Sequence, residues 1–186
     1  DKFPLLIKFL DVNDRLSIQV HPSDEVAMKK HNEFGKSESW YIVYASDDAT
    51  LILGTKPGVT KEKFLEKVKN NDFSDLFEER SVKTGDFIDV TPGTVHASLK
   101  GSVIFAEIQQ SSDITYRIYD FDRIDKDGKK RELHLDNAAD VIDFGKKVEI
   151  KNTNFKNGET EKNIIKNKFY SIDKIKILNS YEDSCS

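Results

Sequence analysis

The sequence is poor in cysteine and has no long apolar run. Its single cysteine, Cys185, excludes an internal disulfide framework and favours a reducing, cytoplasmic location. No stretch approaches the ~20 consecutive apolar residues that a membrane-spanning helix needs. A net charge of −4 gives no support to nucleic-acid binding. The 186 residues suffice for one domain with a real core, or for one domain and part of another.

Alternation of apolar and polar residues predicts a mainly β fold. Leu16, Ile18 and Val20 alternate with polar residues, so Gln19 and His21 share one face of a predicted strand. Further short strands, separated by turn residues, are predicted at 5–10, 40–45, 50–54, 87–90, 95–99, 103–109 and 115–121. This spacing is typical of a β-sandwich or β-barrel.

Helices are predicted at 23–31, 60–79 and 133–141. Ser23 is placed to cap the first helix. The region 60–79 reads as a helical insertion between strands, with one helix capped by Thr60 and a second short helix capped by Ser74.

Two histidines, a carboxylate and an amide form a candidate metal-ligand set. Gln19 and His21 lie side by side on one strand, and His96 follows the Pro92-Gly93 turn at the start of another. With Glu38 they offer nitrogen and oxygen ligands without cysteine, which suits a catalytic ion that keeps an open position. An ordinary solvated strand face is the alternative that the spacing leaves open.

Glu107 and Arg117 are charged residues on otherwise apolar strand faces. A carboxylate on such a face is costly unless it is paired or functional. The alternatives are therefore functional groups or structural ion pairs, including a pair between these two residues. The remaining histidines are assigned to solvent (His31) and to a superficial or structural position (His134).

Several motifs in fixed order closely resemble the type I mannose-6-phosphate isomerases. They are QVHP at 19–22, GKSESW at 35–40 and PGTVHA at 92–97. The run EIQQSSDITYRIYD at 107–120 looks like the active-site segment of that family, and RELHLD at 131–136 is similar to the stretch that follows it in short bacterial members. The resemblance covers residues 3 to 144.

This resemblance implies a cupin-type jelly-roll β-barrel, with a small helical insertion, that binds one zinc ion per chain. It implies interconversion of mannose 6-phosphate and fructose 6-phosphate through an enediol. Position by position, it assigns the zinc ligands to His21, Glu38 and His96, with Gln19 as a further ligand. Arg117 matches the arginine assigned as catalytic, and Lys36 and Glu107 match residues considered for proton transfer, between which the sequence does not choose.

The resemblance also implies a domain plan. Residues 1–145 form the metal-binding cupin domain without the N-terminal part of the family fold, 146–168 a linker, and 169–186 the start of a second, incomplete cupin-like domain. The chain is therefore expected to be truncated at both ends. Three alternatives remain: a non-catalytic sugar-binding or regulatory cupin of the same family, an iron-dependent cupin oxygenase, and a purely structural sheet protein.

Overall fold

The structure is a computed structural model that describes residues 3–178 as two five-stranded antiparallel sheets, a two-stranded hairpin and three helices. The helices are α1 (Asp24–His31), α2 (Lys61–Lys69) and α3 (Leu135–Val141). The strands are β1 (Leu5–Val12), β2 (Ile18–Val20), β3 (Glu38–Ala45), β4 (Thr50–Thr55), β5 (Phe77–Ser81), β6 (Asp86–Val90), β7 (His96–Lys100), β8 (Val103–Gln110), β9 (Tyr116–Tyr119), β10 (Ile150–Asn152), β11 (Glu161–Lys166) and β12 (Ser171–Ile175).

Both large sheets join strands that are distant in sequence. The first sheet has the order β1-β8-β3-β6-β10 and the second the order β5-β4-β7-β2-β9, so the chain passes repeatedly from one sheet to the other. Buried apolar side chains of both sheets meet between them, among them Trp40, Ile42 and Phe105 of the first and Leu51 and Leu53 of the second. The predicted mainly β, cupin-type jelly roll is confirmed.

A second apolar cluster covers the outer face of the second sheet. Ile18 and Val20 of β2 pack in this cluster with Phe64 and Val68 of α2 and with residues of α3. Because successive side chains of a strand point to opposite faces, Gln19 faces the space between the sheets. The polar face of β2 is therefore the inner face, and the alternative of a solvated strand face is wrong.

The helix predicted to start at Ser74 is wrong. The Ser74 hydroxyl donates to Asp72 Oδ1 at 2.6 Å instead of capping a helix. Residues Phe77–Ser81 form β5, which pairs with the edge of β4, and Phe77 is buried in the outer cluster. Backbone pairing with β4 and burial of Phe77 outweigh the local helical preference of this segment. The helix that Thr60 caps is confirmed as α2, with Thr60 Oγ1 accepting from Lys63 N at 3.3 Å.

The last part of the chain packs on the first sheet. Strand β10, which lies within the predicted linker, pairs with β6 at the sheet edge, and β11 and β12 form a separate hairpin. The predicted start of a second domain at 169–186 stays a prediction; residues 179–186, which include Cys185, lie outside the described residues. Within 3–178, no helix is both long and apolar enough to cross a bilayer.

Candidate metal centre and active site

Three strands bring His21, Glu38 and His96 together between the two sheets. His21 follows β2 directly, whereas Glu38 and His96 are the first residues of β3 and β7. Gln19 lies opposite His96 in the β2–β7 pairing, so both side chains point to the same face. All three candidate ligands are at most 1% exposed, and their ligand atoms lie within 4.8 Å of one another.

The Pro92-Gly93 turn supports this arrangement. Gly93 has a positive φ of 84°, and its N–H donates to the carbonyl oxygen of His21 at 3.0 Å. A Cβ atom at Gly93 would lie 2.9 Å from the carbonyl oxygen of Val141, so the turn also packs closely against α3. Glycine is required here for both reasons. The turn thus fixes the backbone of His21 beside the entry to β7.

Both imidazoles are held in the tautomer that suits a metal ligand. His21 Nδ1 donates to the carbonyl oxygen of Ile114, and His96 Nδ1 donates to that of Thr94, each at 2.9 Å. Each Nε2 is then left with a lone pair, and the two Nε2 atoms lie 3.5 and 3.3 Å from the Glu38 carboxylate. Donation of one ring N–H to a fixed carbonyl is how proteins orient histidine ligands.

The electrostatics of His96 and Glu38 also suit metal binding. Burial lowers the pKa of His96 to about 4, so this imidazole is neutral at neutral pH. Burial alone would raise the pKa of Glu38, but its attraction to His21, His96 and Lys36 prevails and holds the pKa below its usual range. The group therefore offers a neutral imidazole at His96 and an ionised carboxylate at Glu38.

The donor set fits a divalent cation such as zinc. His21 Nε2 and Glu38 Oε1 are buried and make no hydrogen bond with the described residues, whereas Glu38 Oε2 has an ion-pair contact with Lys36. Buried polar atoms in proteins are nearly always hydrogen-bonded or bound to an ion. Two imidazoles and one carboxylate match the ligand preference of catalytic zinc. A cation bound to His21 Nε2 and Glu38 Oε1 would satisfy both.

Gln19 adjoins the group with its amide nitrogen. Its Nε2 lies 3.2 Å from His96 Nε2, and its Oε1 accepts from the Ser17 hydroxyl at 3.1 Å. Only the amide oxygen can bind a metal ion, so Gln19 becomes a ligand only if its amide group rotates by 180°. Which amide atom is oxygen is an assignment that rests on the hydrogen-bond network.

Lys36 reaches the same carboxylate from the loop before β3. Its Nζ lies 2.8 Å from Glu38 Oε2, and the residue is only 6% exposed. Lysines are seldom buried to this extent unless they are paired. Lys36 therefore places a cationic amine next to the candidate metal ligands.

Glu107 lies on the inner face of β8 and is fully engaged. Its Oε2 accepts from Trp40 Nε1 at 3.0 Å, and its Oε1 accepts from Lys8 Nζ at 3.2 Å. Lys8 also donates to Gln109 Oε1 at 2.6 Å. Roles for Lys8 and Gln109 were not predicted from the sequence; the signal for Lys8 was a lone cation within the apolar run of β1.

Arg117 also faces the space between the sheets. It lies directly opposite Gln19 in the β2–β9 pairing, and its Nε is buried without a hydrogen-bond partner among the described residues. Burial lowers the pKa of Arg117, and the nearby Arg131 contributes in the same direction. Within 3–178 no ion pair joins it to Glu107, so a structural pair between these two does not explain either residue.

The other two histidines take different roles. His134 holds the backbone of Arg117 through two hydrogen bonds. Its backbone N–H donates to the Arg117 carbonyl oxygen at 2.7 Å, and its side-chain Nδ1 accepts from Arg117 N at 3.2 Å. It is therefore structural, as predicted. His31 is exposed, as predicted, and its Nε2 lies 2.8 Å from the Tyr116 hydroxyl.

Comparisons with known proteins agree with this site. A family model described as the catalytic domain of type I phosphomannose isomerase matches residues 1–41. A probable mannose-6-phosphate isomerase of Bacillus subtilis is 48% identical over 141 residues, which cover 75% of this chain and 44% of the relative. A mannose-6-phosphate isomerase of Streptococcus mutans is 46% identical over 144 residues, with coverages of 77% and 45%. The chain thus spans about half the length of the curated relatives it matches.

Solved structures match the fold. The mannose 6-phosphate isomerase of Bacillus subtilis superposes with a TM-score of 0.82 at 36% identity, covering 93% of this chain and 55% of that one. A structure from Archaeoglobus fulgidus matches with a TM-score of 0.60 at 23% identity, a likeness of fold alone.

Proposed function

We propose that this chain, which belongs to the type I phosphomannose isomerase family, carries the site that interconverts mannose 6-phosphate and fructose 6-phosphate. The observation that carries the proposal is the buried group of His21, Glu38 and His96, in which His21 Nε2 and Glu38 Oε1 have no hydrogen-bond partner among the described residues. Relatives that share 46–48% identity with most of this chain are named as isomerases of this kind. The substrate class is a small sugar phosphate.

We assign the metal as zinc, one ion per chain. His21, Glu38 and His96 would hold it, and Gln19 would join them if its amide group rotates. When bound, such an ion supplies Lewis-acid polarisation of the substrate carbonyl. The protein's own contribution is the fixed tautomer of both imidazoles, because each Nδ1–H is bound to a backbone carbonyl.

Arg117 is assigned to the developing negative charge. Aldose–ketose isomerisation moves a proton between carbons 1 and 2 and leaves an enediolate oxygen that needs a donor. The Arg117 guanidinium is permanently charged, faces the interior and has a free Nε–H. Donors preorganised for a charge that develops in the transition state are worth roughly 10²–10³ in rate.

Lys36 is our choice for the proton carrier, with Glu107 as the alternative. A carrier must accept the proton from one carbon and return it to the other, so Lys36 would act as the neutral amine, whose lone pair takes up the proton. Both Glu107 oxygens already accept hydrogen bonds, from Trp40 and Lys8. Lys36 Nζ contacts Glu38 next to the metal group and keeps its remaining N–H bonds for other partners.

The cytoplasmic location inferred from the single cysteine stays a prediction.

The test is turnover by the zinc-loaded chain with mannose 6-phosphate, followed by the appearance of fructose 6-phosphate. Lys36→Met and Glu107→Gln are compared with the parent. We expect Lys36→Met to lose far more turnover than Glu107→Gln at similar thermal midpoints. The reverse order would move proton transfer to Glu107. Binding of the sugar phosphate by calorimetry without any turnover would instead support a non-catalytic sugar-binding cupin.

A further inference from the structure

The loop between α1 and β3 carries Lys36 and is unusually well fixed for a loop. Three consecutive amides in it are hydrogen-bonded outside the loop. Gly35 N donates to Asp24 Oδ1 at 3.0 Å, Lys36 N to the carbonyl oxygen of Pro22 at 3.1 Å, and Ser37 N to Gln110 Oε1 at 2.9 Å. The backbone on both sides of Lys36 is thus held by two side chains, Asp24 and Gln110.

Gln110 connects Asp24 with the backbone of Ser37. It lies at the end of β8 and is only 7% exposed. Its Oε1 accepts from Ser37, while its Nε2 donates to Asp24 Oδ1 at 3.0 Å. Its backbone N–H also donates to the carbonyl oxygen of Ser37 at 3.0 Å. Asp24 and Gln110 therefore act as one bonded unit, which we call the Asp24–Gln110 clamp.

Asp24 is an ionised acceptor at neutral pH. Partial burial would raise its pKa, but hydrogen bonds from Gln110, Lys168 and Gly35 lower it below the usual value. Asp24 is also the first residue of α1, where the helix dipole favours a negative charge. Its bond to Gly35 is therefore charge-assisted, and such bonds are roughly twice as strong as neutral ones.

The loop also packs directly on the residues that follow His21. A Cβ atom at Gly35 would lie within 2.6 Å of backbone atoms of Pro22, Ser23 and Asp24. No larger residue fits without moving the backbone. The position of Lys36 is accordingly tied to the segment that carries a candidate metal ligand.

We propose that Asp24 and Gln110 are positioning residues that hold the Gly35–Ser37 backbone so that Lys36 Nζ stays against Glu38. This inference rests on the proposed function, because it assigns the clamp a role in the turnover that Lys36 supports. Within residues 3–178, neither side chain hydrogen-bonds to His21, Glu38 or His96. They act through the loop, and their loss should misplace Lys36.

The first experiment measures turnover of zinc-saturated variants. We expect Asp24→Ala and Gln110→Ala to lower kcat by about 10- to 100-fold, since small misplacements of reacting groups have effects of this size. KM should change by less than about 3-fold, because substrate contacts are not removed. Asp24→Asn keeps Oδ1 as an acceptor and should restore most of kcat.

Asp72→Ala is the matched control. Asp72 likewise accepts from a backbone N–H, that of Ser74 at 2.9 Å, and pairs with Lys67 at 2.9 Å, but it lies near α2, outside the clamp. Its loss should leave kcat unchanged. An equal fall of kcat in Asp72→Ala would show a general loss of stability and overturn the proposal.

A double-mutant cycle with Lys36 separates positioning from general structure. If Asp24 acts through Lys36, Asp24→Ala should not lower kcat further in the Lys36→Met background. A full additional loss in that background would overturn the inference. This result is distinct from failure of the proposed function, which a parent chain without turnover would reveal.

Amide hydrogen exchange tests the clamp without catalysis. In the apo and zinc-loaded proteins, Asp24→Ala and Gln110→Ala should increase exchange at Gly35 and Ser37 by at least about 10-fold, whereas Asp72→Ala should not. Unchanged protection of both amides from hydrogen exchange would refute the positioning role of the Asp24–Gln110 clamp, even if the chain is an isomerase.

Discussion

Zinc should raise the folding stability of this chain through His21, Glu38 and His96. These residues bury two acceptor atoms, His21 Nε2 and Glu38 Oε1, that have no hydrogen-bond partner among the described residues. Each unsatisfied buried polar atom costs about 1–3 kcal/mol in stability. A cation that binds both relieves this cost in the folded state only, so metal binding and folding are linked.

The size of the effect follows from the binding linkage. At a free zinc concentration about 1,000 times Kd, the stabilisation is about 4 kcal/mol. For a chain of this size, 1 kcal/mol corresponds to about 2–4 °C in the thermal midpoint. Zinc should therefore raise Tm by about 8–16 °C, and each further tenfold in free zinc should add about 1.4 kcal/mol.

The assay is thermal unfolding of the apo protein in a series of buffered free zinc concentrations. His96→Ala should abolish most of the zinc-dependent increase in Tm. His31→Ala is the matched control, because His31 is an exposed imidazole outside the group. A parent protein whose Tm does not respond to zinc, or a His31→Ala variant that loses the response as fully as His96→Ala, would refute the ligand assignment.

Three further predictions concern pH, packing and the arginine. Because burial lowers the folded-state pKa of His96 to about 4, the unfolded chain binds a proton first as pH falls below about 6.5. Between pH 6.5 and 4, the free energy of unfolding of the apo parent should therefore fall by about 3 kcal/mol more than that of apo His96→Asn. Denaturant titration measures both values, and an equal fall in the two proteins would contradict this prediction. Gly35→Ala should lower the free energy of unfolding by about 1–3 kcal/mol through its clash with backbone, and an unchanged denaturation midpoint would argue against that contact. Arg117→Lys should lower kcat roughly 10²–10³-fold with little change in Tm. Arg80→Lys is the control and should leave kcat unchanged, because within the described residues the Arg80 side chain hydrogen-bonds only to a backbone carbonyl oxygen. Undiminished turnover of Arg117→Lys would remove Arg117 from the mechanism.

The period-two pattern of residues 16–21 predicted a strand correctly, but it could not show which face is buried. Helices α2 and α3 cover the side of β2 that carries Ile18 and Val20. The polar side, with Gln19, then faces the barrel interior. Alternation reports two different environments, whereas the identity of each environment depends on elements that lie 40 or more residues away in the sequence.

The site residues that lie in short motifs were predicted from the sequence, whereas those that long-range strand pairing brings into the site were missed. His21, Glu38 and His96 were found from their motifs, and the structure brings the three together. Lys8 was missed because its partner Glu107 is 99 positions away, and only the β1–β8 register sets them opposite each other. Strand β5 was misjudged for the same reason, since the free edge of β4 is not visible in its local sequence.

The charged side chains between the sheets are not fully neutralised by one another. Two buried carboxylates each pair with a lysine: Glu107 with Lys8, and Glu38 with Lys36. Within the described residues this leaves the Arg117 guanidinium, on the same inner faces, without a carboxylate partner. A divalent cation bound by His21, Glu38 and His96 would add two more positive charges. Burial strengthens electrostatic attraction because the local dielectric constant is low. Under the proposed function, a phosphorylated sugar and its enediolate would therefore be attracted by an excess of positive charge between the sheets.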